Sequence, residues 1–257
     1  MEVNKSNFIV TGGASGLGKA VVSLLLEKGA YVSVFDRNAE AGDDLQKRYP
    51  SQLQLLNVDV TNEEQVGEAV KKSKDSYGPI DGAINCAGVA YAEKTVGKEG
   101  EAHNLKIFEK TMRVNVVGTF NVCRLVAQAI ADSTNDKDKE QMGVLVNTAS
   151  IAAYDGQLGQ VAYAASKGAI ASMTLPMARD LSGLKIRVAC IAPGIFDTPM
   201  LQALPDKVRN ALGAMVPHPA RLGRADEFAA LAIHIIENDM INGEVIRLDG
   251  GLRMPPK

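Results

Sequence analysis

Three residues carry the sharpest chemical signal in this 257-residue chain. Ser150 is followed thirteen residues later by Tyr163, and Lys167 lies four residues beyond that. Tyr163-Ala-Ala-Ser-Lys167 reads as helix, so the phenol and the ammonium share one face. A phenol is a weak acid in water, and a cation one helical turn away favours its phenolate form. Such a pair suits general acid/base work on a substrate oxygen. Ser150 follows an apolar strand at 144–148, which places its hydroxyl at the carboxyl edge of a sheet, where α/β proteins bind ligands. Alone, a Tyr-x-x-x-Lys pair reads more readily as a surface helix pair. Ser150 and a nucleotide-binding loop near the start of the chain reverse that preference.

That loop is Thr11-Gly12-Gly13-Ala14-Ser15-Gly16-Leu17-Gly18, directly after the strand-like Phe8-Ile9-Val10. A pyrophosphate needs a tight turn, backbone N–H groups and a helix N-terminus beneath it. Gly12 can make the turn, Gly16 and Gly18 allow close approach and helix–strand packing, and Ser15 can add a hydroxyl donor. Glycines alone are a weak signal; the strand before and the amphipathic helix after supply the context. Asp36 closes the second strand, 18 residues after Gly18. An acid there can accept hydrogen bonds from the adenosine ribose and repels a 2′-phosphate. Arg37 could accommodate that phosphate, but no basic residue lies in the glycine loop, so NAD is expected over NADP. Asp59-Val60 is placed to flank an adenine, or equally to begin the following helix beside Thr61. In Asn85-Cys86-Ala87-Gly88, small residues let a cofactor lie against backbone, and Cys86 is read as a backbone contact.

These groups need a scaffold, and the chain alternates short apolar runs with helical patterns throughout. The strand candidates are 7–11, 31–35, 53–58, 81–85, 143–148, 185–191 and 243–248. Leu17, Ala20, Val21, Leu24 and Leu25 form the apolar face of the first helix, closed by Gly29. Thr61-Asn-Glu-Glu64 has capping-box spacing for a helix to about 77. Longer helices are expected at about 105–132, 160–182 and 225–238. The pattern predicts an α/β fold, a single Rossmann-like domain over 1–257 with about seven parallel strands and helices on both faces. Residues 92–106 and 132–141 are polar and read as surface loops.

Composition removes other classes. Lys+Arg number 28 against 30 Asp+Glu, a net charge of −2, which argues against a nucleic-acid partner. His103, His218 and His234 are scattered, and no His-rich metal site is expected. Cys86, Cys123 and Cys190 make no disulfide framework, which suggests a reducing compartment. No uninterrupted apolar run approaches the roughly 18 residues of a membrane span. With no Arg-rich presequence visible, the cytoplasm is the expected location.

The Thr11–Gly18 loop, Asp36, Asp59-Val60, Asn85–Gly88, Asn115, Ser150, Tyr163, Lys167 and Pro193-Gly194 together resemble the short-chain dehydrogenase/reductase family, over essentially the whole chain. The resemblance implies that Tyr163 is the acid/base on the substrate oxygen and that Ser150 hydrogen-bonds that oxygen. It implies that Lys167 holds the nicotinamide ribose and favours the phenolate, and that Asn115 supports a water relay. Without the family pattern, Asn115 would read as a polar group satisfying backbone. Implied cofactor contacts are Gly12, Ser15, Leu17, Asp36, Asp59, Val60, Cys86, Gly88, Tyr163, Lys167, Phe196 and Thr198. Asn-Cys-Ala-Gly departs mildly from the usual Asn-Asn-Ala-Gly and leaves the backbone role intact.

Asn147–Ser150, Gly156–Gln160, Thr174–Asp180 and Asn242–Asp249 are further similar to the type 2 3-hydroxyacyl-CoA dehydrogenases, also called 17β-hydroxysteroid dehydrogenases type 10. That subgroup interconverts 3-hydroxyacyl-CoA and 3-ketoacyl-CoA with NAD. An NAD-linked hydroxysteroid or other secondary-alcohol dehydrogenase, and an NAD-binding structural subunit of a larger complex, remain alternatives. In the family, the segment at about 195–219 covers the substrate; Phe196, Met200, Leu201, Leu204, Leu212 and Met215 suit an acyl chain or steroid, or simply cover the core. Gln157 and Gln160 could bind a polar head group, and Lys94 and Lys98 are candidate partners for CoA phosphates. The resemblance also implies a homotetramer, built on the helices at 105–132 and 160–182, with Leu175-Pro176-Met177 as apolar interface residues. Some relatives reside in mitochondria.

Overall fold

A computed structural model describes residues 1–133, 140–202 and 205–256, with Met200 described in its backbone only. Most of the polar loop expected at 132–141, and Leu204, therefore lie outside the described residues.

Seven strands form one parallel sheet in the order β3-β2-β1-β4-β5-β6-β7. They are β1 (Asn7–Thr11), β2 (Tyr31–Asp36), β3 (Leu53–Asn57), β4 (Gly82–Asn85), β5 (Gly143–Thr148), β6 (Ile186–Pro193) and β7 (Val245–Leu248). Runs such as Phe8-Ile9-Val10 and Val144-Leu145-Val146 are fully buried, because a parallel sheet is covered on both faces. Phe8 and Val10 enter one layer with α1 (Gly16–Glu27) and the α9 helix near the C-terminus (Ala225–Glu237). Ile9 points the other way, among Val66 and Val70 of α3 (Glu63–Tyr77) and Val122, Val126 and Ile130 of α5 (Thr119–Ala131). The short α2 (Asp43–Arg48) lies between β2 and β3.

Strand order reverses between β1 and β4, so their following loops diverge and leave a crevice at the carboxyl edge. Ser150 follows β5 on that edge. Tyr163 and Lys167 stand on α6 (Val161–Asp180), which packs across β6.

Two local expectations need correction. Asn62, not Thr61, caps α3: its side chain accepts from the Gln65 N–H at 3.0 Å. Thr61 is occupied elsewhere, since its amide and hydroxyl both donate to Asp59 Oδ1, at 2.9 and 2.8 Å. Met177 is buried in the core and is no interface residue, whereas Leu175 is half exposed.

The helix expected at 105–132 is α4 (Leu105–Met112), a π-helical turn at Arg113–Gly118, and α5. Among the described residues it is the one helix long and apolar enough to cross a bilayer, yet half of that stretch is buried inside the fold, as in a core helix.

After β6, residues 194–224 carry α7 (Pro199–Gln202) and α8 (Asp206–Ala214) across the carboxyl edge. This covering segment is pinned at both ends: Gly223 N–H donates to Ile195 O and Asp197 N–H to Gly223 O, at 2.9 and 2.8 Å. Arg221 forks onto Glu227 of α9 at 2.6 and 2.9 Å. Chiefly through that fork, and through the Arg224 amide, the Glu227 carboxyl is held down to about 2. A carboxyl depressed on folding contributes stability above its ordinary value, and that contribution fades as pH falls toward the depressed value. Glu227→Gln should therefore lower Tm at pH 7, with the gap from the parent closing as pH is lowered below about 4.5. Melting curves across that range check it; a gap independent of pH would contradict it.

Candidate active site

A cleft of about 650 Å³ runs along the carboxyl edge, from the β1 turn to the covering segment. At one end Gly12 has φ +63°, and a Cβ there would lie 2.8 Å from the Ala87 nitrogen. A Cβ on Gly18 would meet the Gly12 carbonyl at 2.2 Å, so turn and helix can close together only without side chains. Gly16, φ +53°, faces Thr198 and Pro199 with ordinary clearance, which leaves space above the turn. Ser15 sits at the N-cap of α1 with an extended backbone, yet its hydroxyl makes no capping bond, and no acid lies in the first turn. The helix therefore presents unneutralised N–H groups to the cleft beside a glycine cradle. These features fit a pyrophosphate.

Asp36 lines the same end, its carboxylate accepting from the Ala14 N–H at 3.2 Å and the Asn38 N–H at 2.9 Å. Asp59 also lines it, beside the start of α3. One oxygen takes the two Thr61 donors, and the other faces Arg37 at 4.0 Å. Burial raises the Asp59 carboxyl, but the Thr61 donors and the Arg37 and Arg113 charges outweigh it and hold it below its ordinary value. Leu17, Val60, Cys86, Gly88, Phe196 and Thr198 all border the cleft. Burial pushes the Cys86 thiol up to about 11, so it stays a protonated thiol and not a nucleophile.

Ser150, Tyr163 and Lys167 come together at the middle of the cleft. Lys167 is 5% exposed, and its Nζ donates to the Thr148 carbonyl at the end of β5, at 2.7 Å. The same Nζ lies 5.8 Å from the Tyr163 ring centre. Ser150 Oγ accepts from the Ala152 N–H at 3.1 Å, which leaves its own O–H to donate elsewhere.

Asn115 is fully buried in the π-helical turn and does not border the cleft. Its side chain clamps the Val89 backbone, accepting from N–H at 2.8 Å and donating to C=O at 2.9 Å. It also donates to Ser166 Oγ at 2.9 Å, and Ser166 donates in turn to the Tyr163 carbonyl at 2.7 Å. Asn115 thus links the turn after β4 to the helix bearing Tyr163.

Gln160 borders the cleft; Gln157 does not. The Gln157 carboxamide donates to Pro255 O at 3.1 Å, and the residue lines a neighbouring hollow with Lys94. Lys94 and Lys98 are exposed and outside the cleft lining. Sequence reasoning missed Tyr91, Lys110 and Met254, which do line it. Lys110 Nζ lies 5.2 Å from the Tyr91 ring centre, a contact with no local sequence signature.

Comparison with known proteins gives the family. Residues 6–209 match the short chain dehydrogenase family. The chain belongs to that family. It is therefore an oxidoreductase acting on CH–OH groups, with a nicotinamide cofactor. It is 49% identical over 249 residues to 3-hydroxyacyl-CoA dehydrogenase type-2 of Drosophila melanogaster, covering 96% of this chain and 97% of that one. The human 3-hydroxyacyl-CoA dehydrogenase type-2 is 48% identical, with 96% and 95% covered. A crystal structure of 3-hydroxyacyl-CoA dehydrogenase type-2 from Mycobacterium avium superposes with TM-score 0.94 at 39% identity, covering 98% and 97%.

Asn115→Leu strands the Val89 backbone pair and one Ser166 partner, and should cost about 2 kcal/mol in urea unfolding. Loss of stability below about 0.5 kcal/mol would show that the clamp is dispensable.

Proposed function

We propose that this dehydrogenase oxidises 3-hydroxyacyl-CoA to 3-ketoacyl-CoA, reversibly, with NAD. The observation that carries the reading is the meeting of Ser150, Tyr163 and Lys167 in one cleft that begins at the glycine turn. The bound nicotinamide supplies the hydride acceptor. The chain does the rest. Ser150 donates its free O–H to the substrate oxygen, and Tyr163, as its phenolate, takes the hydroxyl proton as hydride leaves the carbinol carbon and the carbonyl forms. Lys167 spends one N–H on Thr148, which leaves two that would be available to hold the cofactor ribose and to favour the Tyr163 phenolate.

The NAD preference rests on Asp36, whose carboxylate borders the cleft where a 2′-phosphate would stand. Arg37 is largely exposed and faces Asp59, so it is a poor counterweight. The acyl-CoA assignment draws on the printed names of the relatives and on Ile195, Phe196 and Leu201, apolar residues over the cleft. Lys94 and Lys98 are the proposed partners of CoA phosphates. A homotetramer fits the half-exposed Val117, Phe120, Val161 and Leu175 on the two long helices.

Tyr163→Phe should cut kcat by at least about a hundredfold while NADH Kd changes little. Retained turnover would refute the assignment, and a structural subunit would survive the same change in complementation. Assay of 3-hydroxybutyryl-CoA, a hydroxysteroid and a simple secondary alcohol should give the highest kcat/KM for the thioester. A steroid preference would overturn the substrate class. Equal kcat/KM with NAD and NADP would overturn the cofactor preference. Lys94→Glu with Lys98→Glu should raise KM for the thioester and spare the short alcohol; equal effects on both would remove the lysines from the account.

A further inference from the structure

One wall of the cleft joins the covering segment to residues near the C-terminus, Leu252 and Met254, that no local sequence pattern marks. Leu252 is buried against Ile151 and Val216, with Ile195, Met215 and Met254 packed on the same cluster. Ile151 directly follows Ser150, while Ile195, Met215 and Val216 belong to the covering segment. Met254 itself borders the cleft together with Ser150, Gln160 and Tyr163. The 252–256 segment is thus wedged between the serine turn and the cover.

Specific ties hold it. Arg247 Nη2 donates to Asp155 Oδ2 at 2.6 Å and to the Leu252 carbonyl at 3.0 Å, while Nε donates to Asp249 Oδ2 at 2.7 Å. Its guanidinium also lies 5.2 Å from the Tyr154 ring centre. Asp249 is almost fully buried, and Arg247 and Asp155 are mostly so, which makes this cluster firmer than a surface ion pair. Further along, the Leu158 N–H donates to Pro256 O and the Gln157 carboxamide to Pro255 O, each at 3.1 Å. The two prolines lack N–H groups and restrict the backbone, so the segment acts here through its carbonyls.

We infer that residues 252–256 are a fixed strap forming the substrate-side wall of the cleft, that Met254 sets the length of apolar substrate accepted, and that Arg247 is the positioning residue that holds the strap to the 154–158 turn. The dehydrogenase reading above supplies the identity of the occupant. Methionine suits a wall that bears on apolar chains, being unbranched and polarisable. Differences of one methylene in such a pocket are worth about tenfold or more in kcat/KM.

The test is kcat/KM for 3-hydroxyacyl-CoAs of increasing length and, in parallel, 2-alkanols of increasing length. Met254→Ala should move the optimum to longer chains and Met254→Trp to shorter ones, the long-to-short ratio shifting about tenfold each way. Kd values of the matching 2-alkanones on the dead-end NAD complex should show the same shift without requiring turnover. Arg247→Gln should flatten the length profile through KM more than kcat, with partial recovery in Arg247→Lys; a merely structural role would lower Tm and leave the profile intact. An unchanged profile in Met254→Ala overturns the inference even if Met254→Trp fails to fold. Turnover of alkanols but not of thioesters defeats the acyl-CoA reading alone, and the strap is then judged on the alkanol series.

Discussion

The buried ammonium of Lys167 is the constraint around which this site is built. It donates to the Thr148 carbonyl at the end of β5 at 2.7 Å. A cation taken out of water needs compensation, and here that comes from a backbone oxygen that the sheet cannot move. The bond fixes α6 against β5, and so fixes Tyr163, one turn earlier, relative to Ser150 two residues past Thr148. The phenol and the serine hydroxyl are thereby held by the ends of β5 and α6 at the carboxyl edge of the sheet. Catalytic groups placed by rigid elements hold their geometry better than groups on loops.

The other devices keep that arrangement in register with the cofactor. The glycine turn is closed so tightly that Gly18 tolerates no Cβ against the Gly12 carbonyl, which brings the α1 N-terminus under the cleft. Asn115 ties the turn after β4 to α6 through Ser166, so the two banks of the cleft are joined from below. The Arg221–Glu227 fork secures the cover to α9, and the Arg247 cluster secures the strap. The proposed chemistry needs no metal and no histidine base; in it one tyrosine, one lysine and a hydroxyl suffice alongside the nicotinamide.

Much of this was legible in the chain. All the strands fall within two residues of where apolar, β-branched runs place them, because buried parallel strands are marked by local composition. The glycine loop, Asp36 and the Ser150–Tyr163–Lys167 spacing likewise lie in contiguous or helical patterns. What was not legible depends on partners distant in sequence. Asn62 takes the cap only because Thr61 is already bound to Asp59. The π-helical turn at 113–118 has no propensity signature, and Asn115 reaches Val89 and Ser166, neither of them near in the chain. Gln157 faces Pro255, and Met254 enters the cleft, through contacts across about a hundred residues that no spacing rule encodes.

On the proposed mechanism, Lys167, held by Thr148, makes the cleft competent for hydride transfer from a secondary alcohol. Single-turnover absorbance of the nicotinamide after mixing NAD-loaded Lys167→Met with 3-hydroxybutyryl-CoA tests it most directly. Reduced nicotinamide should accumulate at least about a hundredfold more slowly than in the parent, with NADH bound more weakly. Transfer at the parental rate would contradict it.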